Sequence, residues 1–255
     1  VIYQFNFVMK ADRLFLQPEK LEFKSLTANC IPDHQLVIGA VNNGIAKAYL
    51  ISFLIYHHQI CDQIGGKPII ATYCSVCRSG RIFESEIDGR QESFRLVGMD
   101  HFNAMFEDST TKSWWRQATG EAISGPRKGT RLNEMNSQQM AVEKWFELHP
   151  LGLVMQADEH SLEKYDSLAL FEKGKGRSKF TRTDSIPWQD KSWVAALQLG
   201  RFEKAYDWND LKNESIINDR IGPVNIMIAI SADCKSFVAY ERPSDTPCKI
   251  DRNDL

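Results

Sequence analysis

Over residues 32–84 the apolar positions fall in short runs separated by turn residues, the rhythm of β-strands rather than of long helices. Runs at 37–41 and 45–49 flank Asn42-Asn43-Gly44, and an Asn-Gly step between apolar runs predicts a tight hairpin. The period then changes. Leu50, Phe53, Leu54 and His57 stand at i, i+3, i+4 and i+7, the apolar face of a short helix. Asp62-Gln63-Ile64-Gly65 then turns the chain into another apolar strand at 68–73.

The same succession returns later. Laying 37–84 without gaps on 194–241, an offset of 157 that carries Val37 onto Val194, places Lys47-Ala48-Tyr49 on Lys204-Ala205-Tyr206. Leu54 meets Leu211, Ile60 meets Ile217, Asp62 and Gly65 meet Asp219 and Gly222, and Cys77 meets Cys234. We read a duplicated hairpin-helix-strand unit and expect an α+β, β-rich fold with copies at 37–84 and 194–241. The expected boundaries are a lead-in at 1–31, a single domain at 32–242 and a tail at 243–255.

Residues 85–193 form a long insertion between the copies. Asp88-Gly89 predicts a hairpin joining 81–87 to 91–97. A helix is expected at 137–148, capped by Ser137 and stopped by Pro150, with Ala141, Trp145 and Leu148 facing inward. The basic, glycine-containing stretch at 172–185 reads as an exposed loop.

Composition narrows the function classes. With 31 basic and 33 acidic side chains the net charge is −2, which gives no sign of a nucleic-acid partner. No apolar run approaches the roughly 20 residues that span a bilayer. The opening Val-Ile-Tyr-Gln-Phe-Asn-Phe-Val-Met is apolar, and it fits a removed signal peptide, a membrane anchor outside the given chain, or an arbitrary starting point. No ligand or protein partner is indicated. Six cysteines, at 30, 61, 74, 77, 234 and 248, are too few for a disulfide scaffold, and the informative feature is the close pair Cys74-Ser75-Val76-Cys77.

Comparing the copies separates scaffold from chemistry. Lys47, Tyr49, Asp62 and Gly65 are shared and serve the fold, Asp62 being expected to tie the turn that follows it. The first copy alone has Cys74 where the second has Ser231, and His57 where the second has Glu214. Cys234 could pair with Cys248. Three readings stand for Cys74 and Cys77. In the leading one they hold a transition metal, zinc or copper, with His57 and His101 completing the set and Met105 suiting the softer ion. In the second they cycle between dithiol and disulfide, as an oxidoreductase or redox sensor, although no helix N-terminus is expected beside them. In the third they are small core residues or a static disulfide. A non-catalytic binding module with a cleft walled by His101, Trp114 and Trp115 is a further alternative, and Met105, Asp108 and Trp115 are candidate pocket residues.

Tyr73-Cys74-x-x-Cys77-x-x-Gly80, followed by Asp108, Ser113, Trp115, Gln117, Gly120-Glu121-Ala122 and Gly125-Pro126, resembles the bacterial domain of unknown function 3179. The resemblance runs from Pro32 to Arg242, with Ser75, Arg78 and Cys61 where that family more often has proline, glycine and asparagine. It implies an envelope location, periplasmic or membrane-anchored, and brings no established activity.

Overall fold

The computed structural model describes residues 15–165, 188 and 192–249. The apolar opening at 1–9 and the basic loop expected at 172–185 lie outside them. The chain divides into two compact units between residues 173 and 174. Among the described residues, no helix is long and apolar enough to cross a membrane. The protein is β-rich with short helices, an α+β fold.

The first unit runs β1 (Phe23–Lys24), β2 (Leu36–Asn42), β3 (Ile45–Leu50), helix α1 (Ile51–His57), β4 (Gln59–Ile64), β5 (Lys67–Cys74) and β6 (Ser79–Glu84). It continues through β7 (Glu86–Ile87), β8 (Arg90–Gln91), β9 (Phe94–Asp100), β10 (Asn103–Asp108), β11 (Trp114–Arg116) and β12 (Ala122–Ser124). Then come β13 (Glu134–Met135), β14 (Ser137–Ala141), helix α2 (Val142–Leu148) and β15 (Leu153–Met155). Three sheets carry it, in strand orders β1-β15-β3-β2-β14, β13-β6-β5-β4 and β12-β11-β10-β9.

The expected hairpin at 37–49 forms as β2 and β3, with Asn43 and Gly44 in the left-handed conformation that a two-residue turn requires. Gly65 is obligatory for a second reason besides its positive φ. A Cβ there would lie 2.2 Å from the Asn42 carbonyl oxygen, because the two turns pack on each other. Asp62 does not tie its own turn. It reaches back to β3, accepting from Lys47 Nζ at 2.8 Å and Tyr49 Oη at 2.7 Å, so the three shared residues form one clamp across the unit.

Strand β5 is apolar along its length because both of its faces are covered. Ile69, Ala71 and Tyr73 join the core built on β2, β3 and α1, whereas Ile70 and Cys74 join a second core with Phe83, Phe94, Leu96, Ala104, Phe106, Trp115 and Ala122. Strand alternation therefore delivers the Cys74 side chain to the β9–β12 sheet.

Two expected elements differ. Asp88-Gly89 does make a primed turn, but the hairpin is only β7 on β8. Strand β6 pairs with β5 and β13, and β9 pairs with β10 instead. Glu92 draws the chain away after the turn, its carboxylate accepting from Ser109 and Thr110 backbone N–H groups. The helix expected over 137–148 forms only as α2, since Ser137–Ala141 covers the free edge of β2 as an antiparallel strand. Loop carbonyls replace the serine cap: Val142 and Glu143 donate their N–H groups to Gln35 and Asp33.

The second unit runs β16 (Val194–Leu199), β17 (Phe202–Asp207), helix α3 (Trp208–Glu214), β18 (Ile216–Ile221), β19 (Val224–Ile230) and β20 (Phe237–Glu241). Its core gathers Ala195, Tyr206, Leu211, Ile221, Ile226, Ile228 and Ile230. At an offset of 157 its registers coincide with those of the first unit: Asp219 opposes Ile226 as Asp62 opposes Ile69, and Ile230 opposes Phe237 as Tyr73 opposes Gly80. The clamp recurs as well, with Lys204 Nζ at 2.6 Å and Tyr206 Oη at 2.9 Å from Asp219.

Candidate active site

Cys74 ends β5, residues 75–78 turn, and Ser79 opens β6 directly opposite Cys74. Arg78 takes the left-handed conformation that closes this turn. Cys74 is 2% exposed, and Cys77 is exposed. Both sulfurs face the Phe102 carbonyl oxygen, at 3.6 Å from Cys74 and 3.3 Å from Cys77.

That carbonyl is aimed by the β9–β10 turn. His101 and Phe102 are its two central residues, at φ of 48° and 65°. For a bulky residue this conformation costs about 1–3 kcal/mol, and such strain gathers where geometry serves a site.

A second wall is made of amides. The buried Gln117 donates from Nε2 to the Ser79 carbonyl at 3.0 Å and to Thr72 Oγ1 at 3.2 Å, which leaves its Oε1 to accept from Asn103 at 2.9 Å. Asn103 is fixed from its other end, because its Oδ1 accepts the Ala118 N–H at 2.8 Å. Its amide hydrogens therefore point at Gln117 and at the Cys77 sulfur, 3.5 Å away.

The two thiols are coupled. The neighbouring Cys77 thiol and the backbone N–H groups of Cys77, Ala104 and Val76, against the cost of burial, lower Cys74 to about 6. Cys77 is pushed well up by the Cys74 side chain and by burial, with the Asn103 amide acting the other way.

An open cleft of about 520 Å³ lies over Cys77, lined by Ser79, Asp100, His101, Asn103, Arg116 and Ala118. Asp100 bridges two neighbours, accepting from Arg116 Nε at 2.7 Å and sitting 2.7 Å from His101 Nδ1. The Arg116 hydrogen bond holds the Asp100 carboxyl below its usual range.

Other sequence candidates fall elsewhere. His57 is buried with both ring nitrogens engaged, Nδ1 with the Leu16 carbonyl and Nε2 with Tyr165 Oη at 2.6 Å, and burial lowers its pKa. Among the described residues, no three His, Cys, Asp or Glu side chains gather closely enough to hold a metal ion. Met105 is buried on β10. Asp108 accepts from Thr111 N–H, Ser113 N–H and Trp115 Nε1, closing a loop. Trp115 packs in the core against Phe94, and Trp114, half-exposed, donates to Glu107. Cys234 and Cys248 are both free thiols. Asn103, Arg116 and Asp100 were missed as site residues. Asp100, His101, Asn103, Glu107 and Asp108 stand close together in the sequence, but only the hairpin register shows which of them turn inward.

This is a dithiol turn at the edge of an open cleft, in a β-rich α+β protein. The chain belongs to the family described as protein of unknown function DUF3179, whose model matches residues 19–248. No curated protein and no solved structure matches it.

Proposed function

We propose that the protein is a thiol–disulfide exchange protein acting at Cys74 and Cys77. The observation that carries this reading is the placement of the pair on one turn, with both sulfurs within 3.6 Å of the Phe102 carbonyl oxygen, Cys74 buried and Cys77 open on the cleft beside the Asn103 amide; the lowering of Cys74 to about 6 supports it. A buried static pair has no need of such donors, and a metal site needs further ligands that His57, engaged on both nitrogens, does not supply. An envelope location, suggested by the family resemblance, suits the chemistry, because disulfides persist in oxidising compartments.

We also infer that 37–84 and 194–241 are copies of one unit, of which the first keeps the reactive turn and the second supports the fold. The coincident registers and the repeated Lys-Tyr-Asp clamp support this.

The test is turnover. Protein carrying the Cys74–Cys77 disulfide should oxidise a peptide dithiol and come out as the free dithiol, counted by mass. Stoichiometric zinc or copper in protein purified without chelator, with no oxidation of the peptide, would contradict the proposal.

A further inference from the structure

Resting on that reading, we infer that Cys77 is the sulfur that exchanges with substrate and Cys74 the sulfur that leaves, so that the pair acts as a disulfide donor to incoming thiols. Thiol–disulfide exchange requires the nucleophile to approach one sulfur in line with the other. Cys77 lines the open cleft, and Cys74 does not. Cys74 lies behind it, 2% exposed and packed among Phe83, Phe106 and Trp115 of the second core. A thiol arriving from the cleft therefore meets Cys77, and burial keeps it from Cys74.

The donors are distributed to match. The backbone N–H groups of Cys77, Ala104 and Val76 favour negative charge on the Cys74 sulfur, where it appears when the disulfide opens. The Asn103 amide, fixed by Gln117 and Ala118, is aimed at the Cys77 sulfur, where charge appears in the second step.

The chemistry balances as follows. A substrate thiolate attacks Cys77 Sγ, the Cys74–Cys77 bond breaks, and its electron pair leaves on Cys74 as a thiolate. The substrate is then joined to Cys77 by a mixed disulfide. A second thiolate of the same substrate attacks its own bonded sulfur, and the electron pair of that bond passes to Cys77, which takes up a proton. The substrate has lost two electrons and two protons, one proton residing on Cys77 and one in solvent. Exchange with a second, more oxidising disulfide restores the pair.

The experiment uses full-length chain carrying Cys74→Ser or Cys77→Ser, reduced and then reacted with an aromatic disulfide, with peptide mass mapping to separate the pair from the other cysteines. Serine is tolerable at position 74, since Ser231 occupies the equivalent turn position in the second unit. The expected result is a mixed disulfide on Cys77 in the Cys74→Ser variant, forming about tenfold or more faster than one on Cys74 in the Cys77→Ser variant. Equal rates, or faster reaction at Cys74, overturn the assignment. Because the wild-type oxidation assay is separate, such a result leaves the exchange activity standing, whereas wild type that fails to oxidise a peptide dithiol removes the underlying reading.

Discussion

The turn after β19 and the turn after β5 occupy the same place in their units and are closed by different acceptors. In the second unit Asp233 accepts from the Lys235 and Ser236 N–H groups at 2.8 and 3.0 Å and from Ser236 Oγ at 2.8 Å. In the first, Val76 stands where Asp233 does, and the backbone N–H groups of Cys77 and Val76 favour negative charge on the Cys74 sulfur. Each turn thus sets backbone donors near a group that can carry negative charge. A carboxylate supplies it permanently, and such a turn is finished structure. A sulfur supplies it only while reduced, so the same donors that hold the turn also favour the dithiol over the disulfide.

The largest expected effect is on exchange itself. Cys74→Ser or Cys77→Ser should abolish oxidation of a peptide dithiol while leaving cooperative unfolding in place, whereas Cys234→Ser should leave the rate unchanged. Converting the second turn sharpens the point. Ser231→Cys with Asp233→Val recreates the cysteine spacing there, but without a counterpart of Phe102 and Asn103, and it should not rescue a Cys74→Ser chain in the same assay.

Next in size is the effect on stability. Asp233→Ala removes three hydrogen bonds to a charged acceptor in a partly exposed turn and should cost about 1–2 kcal/mol in urea denaturation, with the m-value unchanged. Val76→Asp in the first unit should act in the opposite direction, setting a negative charge beside Cys74 and so disfavouring its thiolate. Its readout is the ultraviolet absorbance of the thiolate. In the reduced wild type this should rise with a midpoint of about 6 and in Val76→Asp at higher pH. The sign for stability follows. The folded value of Cys74 lies below its ordinary 9.0, so its contribution is present above that pH and is lost as pH falls toward about 6.

The smallest expected difference is between the two clamps. Lys47 and Asp62 are 17% and 13% exposed, Lys204 and Asp219 44% and 27%. Lys47→Met should therefore cost about 1 kcal/mol and Lys204→Met a few tenths, measured by thermal unfolding at low and high salt.

Much of the fold was legible because it is local. Asn43-Gly44 and the helical spacing from Leu50 to His57 each state their structure within a few residues, and the offset of 157 picked out Lys47, Tyr49 and Asp62 together. What failed was non-local. Ser137–Ala141 carries a plausible helix start, and only the unpaired edge of β2, a hundred residues earlier, makes it a strand. The site divides in the same way. Cys74 and Cys77 are visible as a pair, but His57 reads as a ligand until Leu16 and Tyr165 are found on its nitrogens. Gln117 stands among the residues that carry the family resemblance, but neither it nor Asn103 reads as a site residue in the sequence, because their importance is the direction their amides face.

Whether Cys74 and Cys77 exchange readily between dithiol and disulfide is read by equilibrating the full-length chain in graded thiol–disulfide buffers and weighing the peptide that holds both residues. A reversible two-electron transition is expected between about −270 and −120 mV, the span of pairs that work by exchange. A pair that stays reduced throughout, or one that is oxidised already below about −300 mV as structural disulfides are, would contradict it.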